Sequence, residues 1–313
     1  MTLQQIKYVL AVVDQPNFEL AAENCFVTQS TLSTMIGKLE SEFGIQIFNR
    51  KTKPVSLTNE GEQLVERFRI MQYEAEGIEN LVQELKGEQV GTFNIAVIPT
   101  VAPYLLPLFL EEFALKFPKV QFNVKELTSK AIIEALQHRT MDIGIMALPV
   151  HENDLIEEIL YQEPFYLYDC TGLPREKGAV TIDDLNFEKL CLMEDGHCLS
   201  TQVQQICEMS QLNSSNNGNF NFKSGSMDSL LKITQSRKGI TILPYLATLD
   251  LNENNQTRLY PFQHPAPVRG VGVIYHKHSV KRKLNQKIAQ AIREAVVKIL
   301  PEGSKHEQLI KPF

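Results

Sequence analysis

The sequence predicts three parts in series: a helical N-terminal unit, a long connecting helix, and an α/β unit of two subdomains. Three observations carry this. Short apolar patterns of helical period fill residues 1 to 58. A proline-free stretch, 59–88, repeats its apolar residues every three or four positions. From 89 to 313, strand and helix patterns alternate.

With 313 residues, 43% of them hydrophobic and 22% charged, the chain can bury more than one core. A net charge of −6 offers no general attraction to nucleic acid, so any DNA contact rests on local charge and shape. No apolar run approaches the roughly 20 residues of a membrane span, and Tyr8–Val13 is too short for a secretory core. The expected location is cytoplasmic, with no membrane partner. Cys25, Cys170, Cys191, Cys198 and Cys207 are odd in number and irregular in spacing. That argues against a secreted disulfide framework and makes any disulfide a transient one.

In the first part, Leu3, Ile6, Val9, Leu10 and Val13 recur at helical spacing. Leu20–Ala22 brings small residues for close helix crossing, Phe26-Val27 makes a turn, and Thr28 caps a helix whose inner face is Leu32, Ile36 and Leu39. Gln29, Ser30, Thr31, Ser33 and Thr34 are left near the exposed start of that helix, with Lys38 further along. Short polar side chains there suit bases and phosphates. Arg50, Lys51 and Lys53 form a basic cluster in a wing, suited to backbone phosphate. Charge alone does not choose a DNA reader over a plain helical hairpin. Lys7, Lys38, Arg50, Lys51 and Lys53 are balanced by Asp14, Glu19, Glu23, Glu40 and Glu42.

In the connecting helix, Leu64, Phe68, Met71, Ala75, Ile78, Val82 and Leu85 form a narrow heptad seam. A dimerising helix fits it better than a surface helix packed on its own domain. Beyond Gly87, strands are expected at 93–98, 121–126, 143–146, 165–169, 190–193, 220–223, 240–243 and 271–275. Helices are expected at 104–116, 131–139, 199–209, 227–235 and 284–300. Such alternation implies parallel sheets, and about 220 residues of it implies two subdomains with a cleft. Asn213–Asn219 reads as a surface loop.

Thr100, Thr128, the pair His197-Cys198, and Ser226 follow expected strands, where ligands collect in open α/β folds. For the three hydroxyl residues, helix capping is the competing explanation. The segment EDGHCLSTQVQQIC, 194–207, is more distinctive. Cys198 opens a helix, where the dipole favours thiolate, and His197 stands beside it. Cys207 lies nine residues on. Helical geometry puts the two Cα atoms roughly 13 Å apart, whereas a disulfide needs about 7 Å or less. A bond between them therefore requires the segment to refold. Two buried cysteines that never meet are an equal reading of the spacing. A metal site is weaker, because no clustered ligand set accompanies His197-Cys198 and His276-x-His278 is distant. No metal or cofactor is expected.

The stretch AAENCFVTQSTLSTMIGKLESEFGIQIFNR, 21–50, with LTNEG at 57–61, resembles the winged helix-turn-helix of LysR-type transcription regulators. The resemblance implies a winged domain with a small β wing over 1–58, a linker helix pairing between subunits over 59–88, and a periplasmic-binding-protein-like effector domain over 89–313. Within that family, HCL at 197–199 with Cys207, and KGITILP at 238–244, are similar to the OxyR-type peroxide sensors. By that likeness Cys198 is the peroxidatic thiol, Cys207 resolves it, Thr100 and Thr128 hold hydrogen peroxide, and His197 neighbours the sulfur. Ser200 departs from the likeness, standing where an arginine is common. Cys25, Cys170 and Cys191 match no redox role and read as core residues.

The resulting expectation is a redox-switched regulator of double-stranded DNA, dimeric or tetrameric, working with RNA polymerase and reset by a thiol reductant. It reacts once per signal and is not an enzyme. The alternatives are a LysR-type regulator of a small organic effector and, more remotely, a thiol peroxidase.

Overall fold

The computed structural model describes residues 1–86, 89–173, 178–194, 196–208, 223–301 and 308–311. They fall into two compact units. One holds Met1–Val90 with His138–Thr140, and the other holds the rest.

The first unit contains α1 (Leu3–Asp14), α2 (Phe18–Asn24), α3 (Gln29–Phe43), a two-stranded wing of β1 (Phe48–Asn49) and β2 (Ser56–Leu57), and α4 (Asn59–Leu85). Each helix start is capped by the side chain that precedes it. Thr2 and Gln5 form a capping box on α1, Asn17 accepts from Glu19 N and Leu20 N, and Thr28 accepts from Thr31 N. Gly44, at φ 66°, ends α3 in the left-handed region that glycine tolerates. Ala21 and Ala22 are buried and let α2 cross its neighbours closely, over a core of Ile6, Val9, Leu32, Ile36, Leu39, Ile47 and Phe68. Cys25 packs at the edge of this core.

The second unit is an eight-stranded mixed sheet with helices on its faces. Its elements are β3 (Gly91–Val97), α5 (Ala102–Leu105), α6 (Leu110–Leu115), β4 (Val120–Glu126), α7 (Ser129–Gln137), β5 (Ile143–Leu148) and β6 (Leu155–Asp169). There follow β7 (Leu192–Met193), α8 (Cys198–Glu208), β8 (Lys223–Ser224), α9 (Met227–Ser236), β9 (Ile240–Pro244), α10 (Tyr245–Thr248) and α11 (Glu253–Gln256). The chain closes with β10 (Leu259–Pro261), β11 (Pro267–His276), α12 (Arg282–Val296) and β12 (Gln308–Leu309). The strand order is β10-β6-β11-β5-β3-β4, with β9 on β6 and β12 on β11, while β7 and β8 pair apart.

The sheet corrects the expectation of parallel pairing throughout. β3 is parallel to β4 and β5, but β11 runs antiparallel to β5 and β6, and β6 antiparallel to β9. The reason is two long strands that cross between subdomains. β6 leaves a first core at Leu155 and Tyr161 and enters a second at Phe165, Leu167 and Tyr168. β11 returns from beside Ala266 of the second core to Val271–Tyr275 of the first. At the bulge after Val271 the backbones close up until a Cβ on Gly272 would lie 2.1 Å from Glu158 O. The helix expected over 104–116 is broken into α5, a 3₁₀ turn and α6, with Pro107 interrupting it. The loop expected at 213–219 lies outside the described residues.

Candidate functional site

Cys198 is the first residue of α8, and its position divides the helix between the two cores. The Cys198 side chain, 3% exposed, packs in the first core. Leu199, Val203, Ile206 and the half-buried Cys207 pack in the second. The helix runs unbroken from Cys198 to Glu208, and none of the five cysteines is in a disulfide.

Three elements converge on the Cys198 sulfur. Thr100 follows β3 and Ser129 opens α7, each 1% exposed, and Arg269 lies on β11, also 1% exposed. Arg269 donates from Nη1 to Thr100 Oγ1 (3.2 Å), from Nη2 to the Thr100 carbonyl (3.1 Å), and from Nε to Glu163 Oε1 (2.8 Å). Glu163, fully buried on β6, uses its other oxygen to accept from Leu246 N at 2.9 Å. With an arginine N–H bonded to its oxygen, the Thr100 hydroxyl has its proton to give to the sulfur.

Burial pushes the Cys198 thiol up. Against that pull the Arg269 charge, the Ser129 and Thr100 hydroxyls, and Leu199 N–H. The thiol is thus the resting form, and a thiolate there would lie within the pull of the Arg269 cation and the neighbouring hydroxyls.

The expected site residues are not all brought here. Thr128 is exposed, and its hydroxyl accepts from Ala131 N at 3.4 Å as a helix cap. The adjacent Ser129 is buried, and its Oγ has no hydrogen-bond partner among the described residues, which leaves it able to turn toward the sulfur. His197 is half-exposed and does not figure among the groups that act on the sulfur. Ser200 is buried, and its Oγ has no partner among the described residues. The cation comes from Arg269, which sequence reasoning missed. Its signal was a lone charge inside the apolar run PVRGVGVIYH. Ser226 caps α9 through Ser229 N. No group of three or more His, Cys, Asp or Glu among the described residues is arranged to hold a metal.

In the first unit, Gln29, Ser30, Thr31, Thr34 and Lys38 are exposed along α3, and Ser33 is half-buried. The Thr28 hydroxyl lies 3.0 Å from Ser30 Oγ and 2.8 Å from Thr31 Oγ1, which orders the helix start. Lys51 and Lys53 are exposed on the wing. Arg50 is tied down. Its Nη2 donates to the buried Glu40 at 2.9 Å, its Nη1 reaches Ser33 Oγ at 3.4 Å, and its guanidinium lies 5.2 Å from the Phe18 ring centroid. Glu40 in turn accepts from Ile47 N and Phe48 N. Arg50 therefore braces the wing against α3.

Two family profiles match these two units. "Bacterial regulatory helix-turn-helix protein, lysR family" covers residues 3–62, and "LysR substrate binding domain" covers 86–297. The chain belongs to the LysR family of transcription regulators. This LysR-type regulator is 30% identical to the DNA-binding transcriptional dual regulator OxyR of Escherichia coli, over 94% of this chain and 95% of that one. It is 31% identical to the HTH-type transcriptional regulator EstR of Acinetobacter baylyi, over 88% and 91%. Among solved structures it is similar to a full-length OxyR variant from Pseudomonas aeruginosa. There the TM-score is 0.79 with 27% identity, covering 97% of the regulator and 99% of that chain. The regulator is thus a DNA-binding protein of the winged helix-turn-helix kind. No helix among its described residues is long and apolar enough to cross a membrane.

Proposed function

We propose that the regulator senses hydrogen peroxide through Cys198 and switches by forming a disulfide with Cys207. The observation that carries this is the buried thiol facing Arg269, Thr100 and Ser129 at the head of a helix whose other end bears a second thiol. A peroxide molecule is small enough to reach a buried sulfur, and the same donors that favour thiolate can polarise the O–O bond. Identity alone does not choose the effector, since OxyR and EstR are matched about equally well. The site favours peroxide over an organic molecule, because its polar groups converge on a sulfur.

Oxidation of Cys198 to sulfenic acid and attack by Cys207 would force α8 to refold, since its nine-residue rise is roughly 13 Å and a disulfide needs about 7 Å or less. Refolding would change how subunits contact one another and so the spacing of α3 helices on DNA. A dimer through α4 is supported by Met71, Ile78, Val82 and Leu85, all exposed on its seam. A tetramer needs a second interface in the α/β unit. RNA polymerase is the expected partner of the activated form, and a thiol reductant the means of reset. One turnover per signal makes the protein a switch rather than an enzyme, acting in the cytoplasm where its operators are.

Mass-spectrometric mapping of disulfides after one equivalent of peroxide tests the reading. A Cys198–Cys207 bond is expected. Oxidation without that bond, or no oxidation at all, would leave an organic effector as the better account.

A further inference from the structure

Ile310 is bonded on one side to the strand that carries Arg269 and on the other to the helix that carries both reacting cysteines. β12 runs parallel to β11, with Pro267 opposite Gln308 and Val268 opposite Leu309. The ladder continues as Ile310 N–H donates to the Val268 carbonyl at 2.7 Å, one residue before Arg269. The Ile310 carbonyl then accepts from Gln202 Nε2 at 3.1 Å. Ile310 is 1% exposed and sits in the second core with Leu199, Val203 and Ile206 of α8.

Gln202 is an unusual residue for its place. It is fully buried on α8, and its Oε1 has no partner among the described residues. A buried amide costs free energy unless it is hydrogen-bonded, so a leucine would serve better for packing alone. The bond to Ile310 is what this glutamine supplies. It also lies between Cys198 and Cys207, so unwinding the segment that joins them works against this bond. The strap falls outside the matched family domain, which ends at 297.

We propose that residues 308–310 are a strap that holds α8 wound and so restrains the second oxidation step, leaving the first unaffected. The inference rests on the Cys198–Cys207 switch. In the first step the Cys198 thiolate sulfur attacks one peroxide oxygen. The O–O bond breaks, the sulfur is oxidised to sulfenic acid, and the released hydroxide takes a proton to leave as water. In the second the Cys207 sulfur attacks Cys198, the S–O bond breaks, and the hydroxyl leaves as water with the Cys207 proton. The strap stays bonded through the first step and releases for the second.

The test follows both steps in the full chain, wild type against Gln202→Leu and Ile310→Ala, by rapid-quench trapping of sulfenic acid and of disulfide. In Gln202→Leu, sulfenic acid formation should stay within about twofold of wild type. Disulfide closure should quicken about fivefold, the Boltzmann weight of one neutral hydrogen bond. Ile310→Ala should move the same way, and the Ile310 amide should exchange faster in oxidised wild type than in reduced. Both steps slowing together, or closure unchanged in Gln202→Leu, overturns the strap and leaves Gln202 a packing residue. If Ile310→Ala does not fold, Gln202→Leu decides alone. If wild type closes its disulfide and the variants match it, only the strap fails. If wild type forms no such disulfide, the switch fails and takes the strap with it.

Discussion

Arg269 holds Thr100 twice, by its hydroxyl and by its carbonyl, and so fixes a side chain and a backbone beside the Cys198 sulfur at once. Those two bonds make the thiol pocket a joint between β11 and the end of β3. Chemistry at the sulfur and integrity of the fold therefore share one residue.

Replacing Arg269 should show both sides of this. Arg269→Met strands Glu163 in the core, and breaking a buried ion pair costs about 3–5 kcal/mol. Arg269→Lys keeps a charge but loses the forked bonds to Thr100 and Glu163. Alkylation of Cys198 should climb with pH on the alkaline side in wild type, because burial holds the thiol up. Without the arginine's pull the climb should move to still higher pH. The same raised thiol adds stability that is present below the ordinary thiol range and lost as pH rises through the raised value. An alkylation profile unmoved by Arg269→Met would remove the cation from the mechanism.

Ser129→Ala and Thr128→Ala form a matched pair. The first removes a buried hydroxyl that acts on the thiol and should slow peroxide consumption about tenfold, the effect of roughly 1.4 kcal/mol on a barrier. The second removes only a helix cap, at about 1 kcal/mol of stability, and should leave the reaction rate alone. The opposite ranking would favour Thr128 as the hydroxyl that serves the reaction.

Cys198→Ser should neither consume peroxide quickly nor form an internal disulfide. Cys207→Ser should still react quickly, and its sulfenic acid should persist long enough for a dimedone-type probe. If both variants react as wild type does, neither thiol is the sensor.

On DNA, Gln29→Ala should cost roughly 1–3 kcal/mol at the operator and little elsewhere. Lys53→Ala should weaken all sequences alike and lower the salt slope by about one. Arg50→Ala should lose thermal stability as well as affinity, because it unpairs the buried Glu40. Gel-shift titrations across salt, with melting curves, separate the three. An Arg50→Ala protein as stable as wild type would make Arg50 a phosphate contact only.

Lysines at Met71 and Ile78 together should leave monomers in sedimentation velocity, since both side chains are exposed on α4. An intact oligomer would move the interface off this helix.

The helical head was legible because its signals are local. Thr28, Leu32, Ile36 and Gly44 act within a few residues of themselves, and each does in the fold what its spacing suggests. The start of α8 at Cys198 was legible for the same reason. The N-terminal half of β6 was not, because Leu155, Ile156, Ile159 and Leu160 repeat at helical spacing with glutamates between them. It becomes a strand only by pairing with β11, more than a hundred residues away. Arg269 was hidden likewise. Its partners Thr100 and Glu163 are distant in sequence; the β11–β6 register sets Glu163 opposite it, and the order β11-β5-β3 brings in Thr100. Thr128 and Ser129 differ in role through the phase of one helix start, which spacing does not resolve.

The passage of β6 through both cores, with β11 paired along it from Leu155 to Pro164, has a calorimetric consequence. Neither core can come apart without stripping a strand from the other, so the α/β unit has no half that melts by itself. It should absorb heat in one peak, with van't Hoff and calorimetric enthalpies equal. A ligand or disulfide that steadies either subdomain then raises the melting temperature of both.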